Sequence, residues 1–275
     1  MIDAYARTLP VEIQCKIAGA ALQAVTIGCS GNEVFHVGRH NKPNSYLKIA
    51  PQHQNPDLTA EKSKLDWLQG KLPVPQVEAF TTTGTHTYLL LSEVPGLISC
   101  APAFADKVPA VIRALAEGMR TIHALSINDC PFDQRLDTML DSARYRTEQG
   151  LVDTADFDEA RQGEQPADLI TFLQTHRPLE DIVLTHGDYC LPNVLIDHAT
   201  THISGFIDLH RVGIADRYQD IALAVHSLVY NFGSNANIQT KISDANLAEM
   251  LYAEYGLDKP YHDRVEYYQV LDEFF

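Results

Sequence analysis

The sequence predicts an α+β protein in two parts, a small β-rich amino-terminal part and a larger, mainly helical part that follows it. Two observations carry this prediction. Short segments rich in β-branched and aromatic residues, separated by Gly, Pro and Asn, occupy much of 21–94. Beyond Gly96, apolar residues recur instead at helical spacing. A chain of 275 residues is long enough to give each part its own core. We therefore predict two domains, 1–94 and 95–275.

The amino-terminal part is predicted to hold one main helix and five short strands joined by turns. The helix is expected over 57–71, where Asp57 can cap the first turn. Four residues of this segment recur at helical spacing and would share one face: Leu58, Glu61, Leu65 and Leu68. The strands are expected in ALQAVTIG (21–28), EVFHVG (33–38), SYLKIA (45–50), PVPQVEAF (73–80) and HTYLLLSEV (86–94). Short turns between them favour an antiparallel sheet.

The second part is predicted to be mainly helical. One helix is expected over 107–125, with a buried stripe formed by Val111, Leu115, Met119 and Ile122. Further helices are expected over 137–148, 166–176, 214–232 and 245–256. Between them, 181–190 and 194–208 indicate short strands around a loop and a hairpin.

Charge and composition narrow the class of function. The chain has 21 basic and 36 acidic residues, a formal charge of −15, which disfavours nucleic acid as a partner. The excess carboxylates could attract a polycationic substrate or simply aid solubility. Neither a signal peptide nor a run of eighteen apolar residues is found, so we expect a cytoplasmic protein without a membrane partner. Five widely spaced cysteines, with no CxxC pair, indicate reduced thiols.

The densest chemical signal is HGDYCLPN (186–193), followed by an apolar strand and Ile207-Asp208. Phosphoryl transfer needs a carboxylate to orient the attacking hydroxyl and oxygen ligands for Mg²⁺. Asp188 supplies the carboxylate, and Asn193 and Asp208 supply the ligands. Each residue alone is an ordinary turn former. The complete pattern favours one catalytic site with Asp188 as base and Asn193 and Asp208 at the metal.

These motifs carry a resemblance to a known family. HGDYCLPN, the segment FIDLHRVGIADRYQDIA (206–222) and the terminal LDEFF (271–275) resemble the aminoglycoside 3′-phosphotransferases, which are relatives of the protein kinases. The resemblance implies a two-lobed protein-kinase-like fold with ATP and Mg²⁺ as cofactors. It also implies transfer of the γ-phosphate to the 3′-hydroxyl of kanamycin- or neomycin-type drugs, which confers antibiotic resistance.

The resemblance further implies which residues bind ATP. Lys48 would reach the α- and β-phosphates, Glu61 would pair with that lysine, and Tyr46 would stack on adenine. Taken singly, a strand lysine or tyrosine is commonly structural. The other implied nucleotide-binding residues are Ser30 in the phosphate-covering loop, Ser92, Glu93 and Val94 in the linker, and Leu195 and Ile207 beneath the base.

A cationic drug should meet acidic residues, because each ammonium group can form a charge-assisted hydrogen bond with a carboxylate. The resemblance places Asp158 and Glu159 in a substrate loop. Arg211 would position Asp188 or contact phosphate. The other residues implied at the substrate are Asp188 itself, Asp272, Glu273 and the carboxylate of Phe275. The apolar residues Leu271, Phe274 and Phe275 predict that the carboxyl terminus packs against the rest of the protein.

Two departures from the family pattern bear on specificity. His210 stands where relatives usually have Gly, and a side chain there could crowd the metal loop. His226 and Tyr230 stand where relatives often carry an Arg and a carboxylate. Losing that carboxylate should remove one ammonium contact and change which drugs are good substrates.

Alternative functions stay open at this stage. The same fold could phosphorylate another small hydroxylated amine or a sugar metabolite, or bind nucleotide without turnover. Intact Lys48, Asp188 and Asp208 argue against the latter. A serine hydrolase is rejected, because the GCSG segment (28–31) lacks the nucleophile spacing GxSxG. We expect a monomer or weak dimer.

Overall fold

The computed structural model describes residues 8–25, 33–40, 42–52, 58–236, 238 and 240–275. The chain divides into two compact units. The first comprises Met1–Pro95 together with Ser204–His210, and the second comprises Gly96–Ile203 and Arg211–Phe275. The short segment Ser204–His210 therefore belongs with the amino-terminal unit, although more than a hundred residues separate the two in sequence.

The first unit is built on the predicted five-stranded antiparallel sheet, which the structure confirms. Its strands are β1 (Ala21–Val25), β2 (Glu33–Gly38), β3 (Ser45–Pro51), β4 (Val77–Thr82) and β5 (His86–Ser92). Their order in the sheet is β1-β2-β3-β5-β4. The central β3 pairs with β2 and β5, so Lys48 lies opposite Val34 on one side and Leu89 on the other. A side chain on β3 is thereby held by neighbouring strands on both sides.

Two helices complete the described part of the first unit. The main helix, α2 (Leu58–Leu68), buries the face that the sequence predicts: Leu58, Glu61, Leu65 and Leu68. The predicted cap, Asp57, lies outside the described residues. The shorter α1 (Val11–Ile17) was not predicted, because seven residues are too few to establish a periodic pattern. Ile13 and Ile17 anchor α1 in the same core as the strands.

The second unit contains six α-helices within its described residues. They are α3 (Val108–His123), α4 (Leu136–Glu148), α5 (Pro166–Thr175), α6 (Arg217–Phe232), α7 (Asp244–Tyr255) and α8 (His262–Asp272). The stripe predicted on α3 is fully buried, which confirms its place in the core. The sequence predicts every one of these helices except α8.

The carboxyl-terminal helix was missed because its burial is not one-sided. Val265, Tyr267, Tyr268, Val270 and Leu271 are all buried in α8. This helix packs against both α6 and α5. Contacts with two neighbours replace the single apolar stripe that identifies an amphipathic helix. Leu271 and Phe274 are buried, so the end of the chain is docked as the sequence predicts.

Short strands flank the loops of the second unit. They are β6 (Leu97–Ile98), β7 (Ile182–Thr185), β8 (Val194–Ile196) and β10 (Gly213–Asp216), with β9 (Ile203–Phe206) leading from the second unit into the first. The helix predicted from Ile214 begins instead at Arg217, because 213–216 pairs with β7. Asp216 accepts a hydrogen bond from the Tyr218 amide and caps α6.

Two sequence-derived expectations concern bilayers and thiols. Across the described ranges, every helix is too short or too polar to cross a bilayer. Cys15, Cys100, Cys130 and Cys190 are free thiols. The fifth cysteine, Cys29, lies outside the described residues.

Candidate active site

Three charged side chains meet in the first unit and are here called the lysine cluster: Lys48, Glu61 and Asp208. Lys48 Nζ lies 2.7 Å from Glu61 Oε1 and 2.8 Å from Asp208 Oδ1. Strand β3 carries the lysine, the buried face of α2 carries Glu61, and Asp208 follows β9. Residues far apart in sequence therefore come together: the resemblance implies the pairing of Glu61 with Lys48, and the structure adds Asp208 as a second partner of the lysine.

Burial and attraction oppose one another in the lysine cluster. The Glu61 side chain is 3% exposed and the Lys48 side chain 14%. Burial disfavours the charged ammonium, but attraction by Glu61 and Asp208 outweighs it and raises the pKa of Lys48. Burial also opposes ionisation of Asp208, yet the attraction of Lys48 holds its pKa below the usual range. Lys48 and Asp208 therefore form a pair of opposite charges near neutral pH.

The backbone at Asp208 shows why His210 is tolerated. Asp208 has φ +62°, in the left-handed region that Asp enters more readily than most residues. His210 lies outside that region, in a turn of 3-10 helix over Leu209–Arg211. Its carbonyl accepts a hydrogen bond from Lys64 Nζ, and its Nδ1 lies 3.6 Å from Asp208 Oδ1. A glycine is therefore not required by the backbone at 210.

The catalytic-loop residues lie in the second unit. Asn193 Nδ2 donates to Asp188 Oδ2 at 2.7 Å and to the Asp188 carbonyl at 3.1 Å. The Asp188 amide donates to His186 Nδ1 at 3.3 Å. Asn193 is buried and Asp188 is half-buried. These bonds fix the orientation of the Asp188 carboxylate.

Asp220 on α6 anchors this loop, and sequence reasoning assigned it no role. Its two carboxylate oxygens accept the amide hydrogens of His186 and Gly187, each at 2.8 Å. His123 Nε2 lies 3.1 Å from the same carboxylate, and Tyr255 contacts the other ring nitrogen at 2.8 Å. Asp220 lies in the segment FIDLHRVGIADRYQDIA (206–222), whose resemblance to the family is the signal that could have identified it.

Gly187 must be glycine for this loop conformation. Its φ is +83°, and a Cβ there would collide with the Arg211 carbonyl. Gln219 Nε2 donates to the Gly187 carbonyl at 3.0 Å, so the backbone on both sides of the glycine is held by α6. The loop that carries Asp188 is therefore rigidly placed within the second unit.

A cavity of about 1060 Å³ lies in the second unit. Of the residues predicted to bind substrate, Asp158 and Glu159 line it. His226 and Tyr230 of α6 line it as well, and Tyr230 is 76% exposed. The cavity thus brings the predicted acidic loop together with both departures on α6.

Two of the lining residues, Asp158 and His226, form with Arg161 and Glu273 a group of ionisable side chains that is here called the pocket cluster. Asp158 Oδ2 lies 3.2 Å from His226 Nδ1 and 3.8 Å from Arg161. The Asp158 amide donates to Glu273 Oε2 at 3.2 Å. Arg161 also lies 3.7 Å from Glu273. Sequence reasoning placed Asp158 and Glu273 here but missed Arg161, which has no motif of its own.

Two further predicted substrate residues, Asp272 and Phe275, lie at or just beyond the end of α8, and a third, Arg211, contacts both of them. Arg211 donates to Asp272 Oδ1 at 2.7 Å. Burial disfavours the charge on Arg211, but attraction by Asp272 and Asp188 outweighs it and raises the pKa of the guanidinium. The Phe275 ring lies 5.1 Å from that guanidinium and 5.9 Å from Arg146. Arg211 is therefore paired with Asp272 and electrostatically coupled to Asp188.

The residues predicted to contact adenine have other partners. Tyr46 packs edge-on against His36 at 5.2 Å, and burial together with Glu93 raises its pKa. Ser92 Oγ accepts the Gln76 amide hydrogen at 2.9 Å. Glu93 accepts a hydrogen bond from Asn44 at 3.0 Å.

Four predicted residues remain on the nucleotide side. Val94 and Ile207 are half-buried in the first unit, and Leu195 is buried in β8 of the second. Ser30 lies outside the described residues.

Comparison with known proteins places this site in context. A family model described as a phosphotransferase enzyme family matches residues 22–268. An aminoglycoside 3′-phosphotransferase of Niallia circulans is 37% identical over 270 residues, covering 98% of this chain and 98% of that protein. One from Streptomyces fradiae is 36% identical, covering 92% of this chain and 94% of that protein.

Solved structures agree. A crystal structure of an aminoglycoside-3′-phosphotransferase of type VIII has a TM-score of 0.84 at 30% identity, covering all of this chain and 97% of that one. The aminoglycoside phosphotransferase APH(3″)-Id of Streptomyces rimosus, in complex with ADP and streptomycin, has a TM-score of 0.79 at 27% identity, covering 100% and 99%. A choline/ethanolamine kinase family protein from Mesorhizobium loti, 16% identical with a TM-score of 0.64 and covering 99% and 83%, shares the fold.

Proposed function

Because the chain belongs to the phosphotransferase enzyme family, we propose that it transfers the γ-phosphate of ATP to the 3′-hydroxyl of kanamycin- and neomycin-type aminoglycosides and so confers resistance to them. Similarity to curated aminoglycoside 3′-phosphotransferases over nearly the whole chain supports the reaction. The observation within the molecule that carries it is the lysine cluster, since a lysine that two carboxylates keep charged can bind an anionic phosphate.

On the nucleotide side, Lys48 contacts the α- and β-phosphates. Its two carboxylate partners keep the ammonium charged and directed, which lowers the cost of ordering it when ATP binds. Tyr46, Ser92, Glu93 and Val94 form the adenine-binding end of the first unit.

On the acceptor side, Asp188 orients the drug hydroxyl and accepts its proton as the bond to phosphorus forms. Its hydrogen bond from Asn193 holds the carboxylate in one orientation. Arg211 contributes positive charge near Asp188 and is kept in place by Asp272.

The proposed metal ligands are Asn193 and Asp208, and their donor atoms fit Mg²⁺. Asn193 uses its amide nitrogen on Asp188, which leaves its side-chain oxygen Oδ1 for a metal, and Asp208 uses Oδ1 on Lys48, which leaves Oδ2. Mg²⁺ typically takes one or two protein oxygens and completes its shell with phosphates and water. When bound, the metal would neutralise charge on the phosphates.

The drug itself should bind in the cavity of the second unit. Asp158 and Glu159 line the cavity and offer carboxylates to ammonium groups. Hydrogen bonds of this charged type contribute roughly 1.5–3 kcal/mol each, so a few of them are enough for micromolar affinity. Glu273, bonded to the Asp158 amide, extends the acidic surface. We place the reaction in the cytoplasm, where ATP is available.

A second candidate is a kinase for a different small hydroxylated amine. The observation that favours it is Tyr230, an exposed aromatic ring on the cavity wall that offers no charge to an ammonium group. A substrate with fewer amines and a larger apolar surface would suit such a wall.

A coupled ADP-release assay separates these candidates. Kanamycin should stimulate ADP release in the presence of ATP and Mg²⁺, whereas tobramycin, which lacks the 3′-hydroxyl, should bind without turnover. The variant D188N should abolish the signal with kanamycin and controls for contaminating ATPase. Equal turnover of both drugs would contradict the assigned position, and turnover of neither would favour the second candidate.

A further inference from the structure

His226 projects from α6 into the cavity that carries the acidic loop. Its side chain is 38% exposed, and its Nδ1 lies 3.2 Å from Asp158 Oδ2. The Asp158 side chain is itself 34% exposed, so both partners are accessible from the cavity. A carboxylate that the proposed substrate should use is therefore already paired with a group of this chain.

The charges that face His226 come from three separate elements. The turn at 158–161 contributes a carboxylate and a guanidinium, and the end of α8 contributes two further carboxylates, one of them paired with a second guanidinium. On α6 itself, Tyr230 lies one turn further on and lines the same cavity. The carboxylates that act on His226 are Asp158, Asp272 and Glu273, and the guanidinium partners of these carboxylates are Arg161 and Arg211. When all three carboxylates are ionised they outnumber the two guanidinium groups, and a protonated imidazole supplies the third positive charge.

We propose that His226 is a specificity-determining residue that acts as a built-in competitor of the substrate: when protonated it occupies Asp158, and an ammonium group of the drug must displace it. The His226 imidazolium and an ammonium group of the drug cannot both form a strong hydrogen bond with the same Asp158 oxygen. The drug therefore binds more tightly when the imidazole is neutral. The inference rests on the proposed function, because it takes an aminoglycoside as the ligand of this cavity.

The direction of the pH effect follows from the contacts. The hydrogen bond to Asp158 stabilises the imidazolium, burial opposes it, and attraction by Asp158, Asp272 and Glu273 adds to it, so the pKa of His226 is raised. Protonation therefore persists to higher pH than in a free histidine. As the pH falls, His226 should suppress drug binding. Glu273 also titrates in this range, so the histidine must be isolated by substitution.

The variant H226N isolates the histidine, because the amide can still bond to Asp158 but carries no charge. At about pH 6 we expect H226N to lower the KM for kanamycin about fivefold relative to the wild type, and at about pH 8 less than twofold. The kcat and the KM for ATP should stay unchanged. The matched control is H202N, which removes an exposed histidine 4.0 Å from Glu117 and outside the cavity lining.

A double-substitution cycle tests whether the effect passes through Asp158. In a D158N background, H226N should change the KM for kanamycin at about pH 6 much less than it does in the wild type, since the carboxylate that His226 and the drug share has been removed. Calorimetry with tobramycin, run in buffers of different ionisation enthalpy, gives an independent measurement. The wild type should release more protons on binding than H226N does.

Each outcome is decisive. A KM ratio between wild type and H226N that is the same at both pH values, or equal proton release by the two proteins, would overturn the competitor role while leaving the kinase intact. Loss of kcat in H226N would show instead that the histidine supports the chemistry. Absence of aminoglycoside turnover in the wild type would overturn the proposed function, and this inference with it.

Discussion

The lysine cluster and the pocket cluster are both groups of opposite charges, but they are balanced in different ways. In the lysine cluster one cation serves two carboxylates, and Glu61 is almost fully buried with it. In the pocket cluster Asp158 has two cationic neighbours, and one of these is a histidine that can lose its charge. The lysine cluster therefore needs the charge of Lys48 to balance its carboxylates. In the pocket cluster, a cation from a ligand can replace the charge of His226.

The difference between the clusters matches the charge of the ligand that we propose for each of them. ATP brings anionic phosphates, so its site needs a cation whose charge is already secured. A polycationic drug brings its own positive charge, so its site needs carboxylates whose present partners can leave. Removing a charge should therefore have opposite effects at Lys48 and at Glu273, destabilising the lysine cluster and stabilising the pocket cluster.

The largest effect should come from a residue outside both clusters. D188N should lower kcat about 10³-fold, because it removes the proton acceptor for the drug hydroxyl. The free energy of unfolding should change by less than about 1 kcal/mol, since an amide oxygen can still accept the hydrogen bond from Asn193. Rapid-quench kinetics and urea denaturation measure the two quantities. Substantial residual turnover would remove Asp188 from the role of base.

The second effect tests the lysine cluster directly. K48A should lower the free energy of unfolding by about 3 kcal/mol and raise the KM for ATP, because Glu61 is left buried without its cation. The pKa of Asp208 is lowered and that of Lys48 is raised on folding. The stabilisation is therefore present above the unfolded pKa of Asp, about 4, and below that of Lys, about 10. It should disappear as the pH falls through the folded pKa of Asp208.

The control for K48A is K62A on the same unit. Lys62 pairs with Asp66 at 2.5 Å on the exposed surface of α2. Such a pair should contribute less than about 0.5 kcal/mol. Equal destabilisation by both variants would show that burial does not distinguish the lysine cluster from an ordinary surface pair.

An intermediate effect is expected at the loop anchor. D220N places an amide group against the two backbone N–H groups of His186 and Gly187, so at least one donor loses its acceptor. A buried donor without a partner costs about 1–3 kcal/mol. We also expect a lower kcat, since the same loop carries Asp188. Thermal denaturation and steady-state kinetics check both, and an unchanged kcat would mean that Asp188 is positioned without this anchor.

The smallest effect has the opposite sign and tests the pocket cluster. Burial raises the pKa of Glu273 to about 7, and the neighbouring carboxylates add to the rise. Because the folded pKa lies above the unfolded value of about 4.3, ionisation costs stability as the pH rises through this interval. E273Q should therefore be more stable than the wild type by about 1 kcal/mol at pH near 8, and nearly equal to it near pH 4. If E273Q were less stable than the wild type at about pH 8, the ionised carboxylate of Glu273 would be stabilising, which would contradict this prediction.

Sequence reasoning reached most of the fold because most elements have a local pattern. The five strands and the buried faces of α2 and α3 are recognisable from periodicity alone. It failed at α1, which is too short to show a period, and at α8, which is buried on more than one side. It also extended α6 backwards into 213–216, where pairing with β7 overrides helical propensity.

The candidate site likewise has a part that could be predicted from the sequence and a part that only the structure reveals. The sequence by itself determined which residues we propose for the chemistry, because Asp188, Asn193 and Asp208 lie in motifs whose spacing can be read along the chain. Only the tertiary structure decided that Asp220 holds the catalytic loop and that His226 is paired with Asp158. The physical reason is that a motif records neighbours along the chain, whereas the balance of charges in a cavity depends on side chains that several elements of the fold bring together.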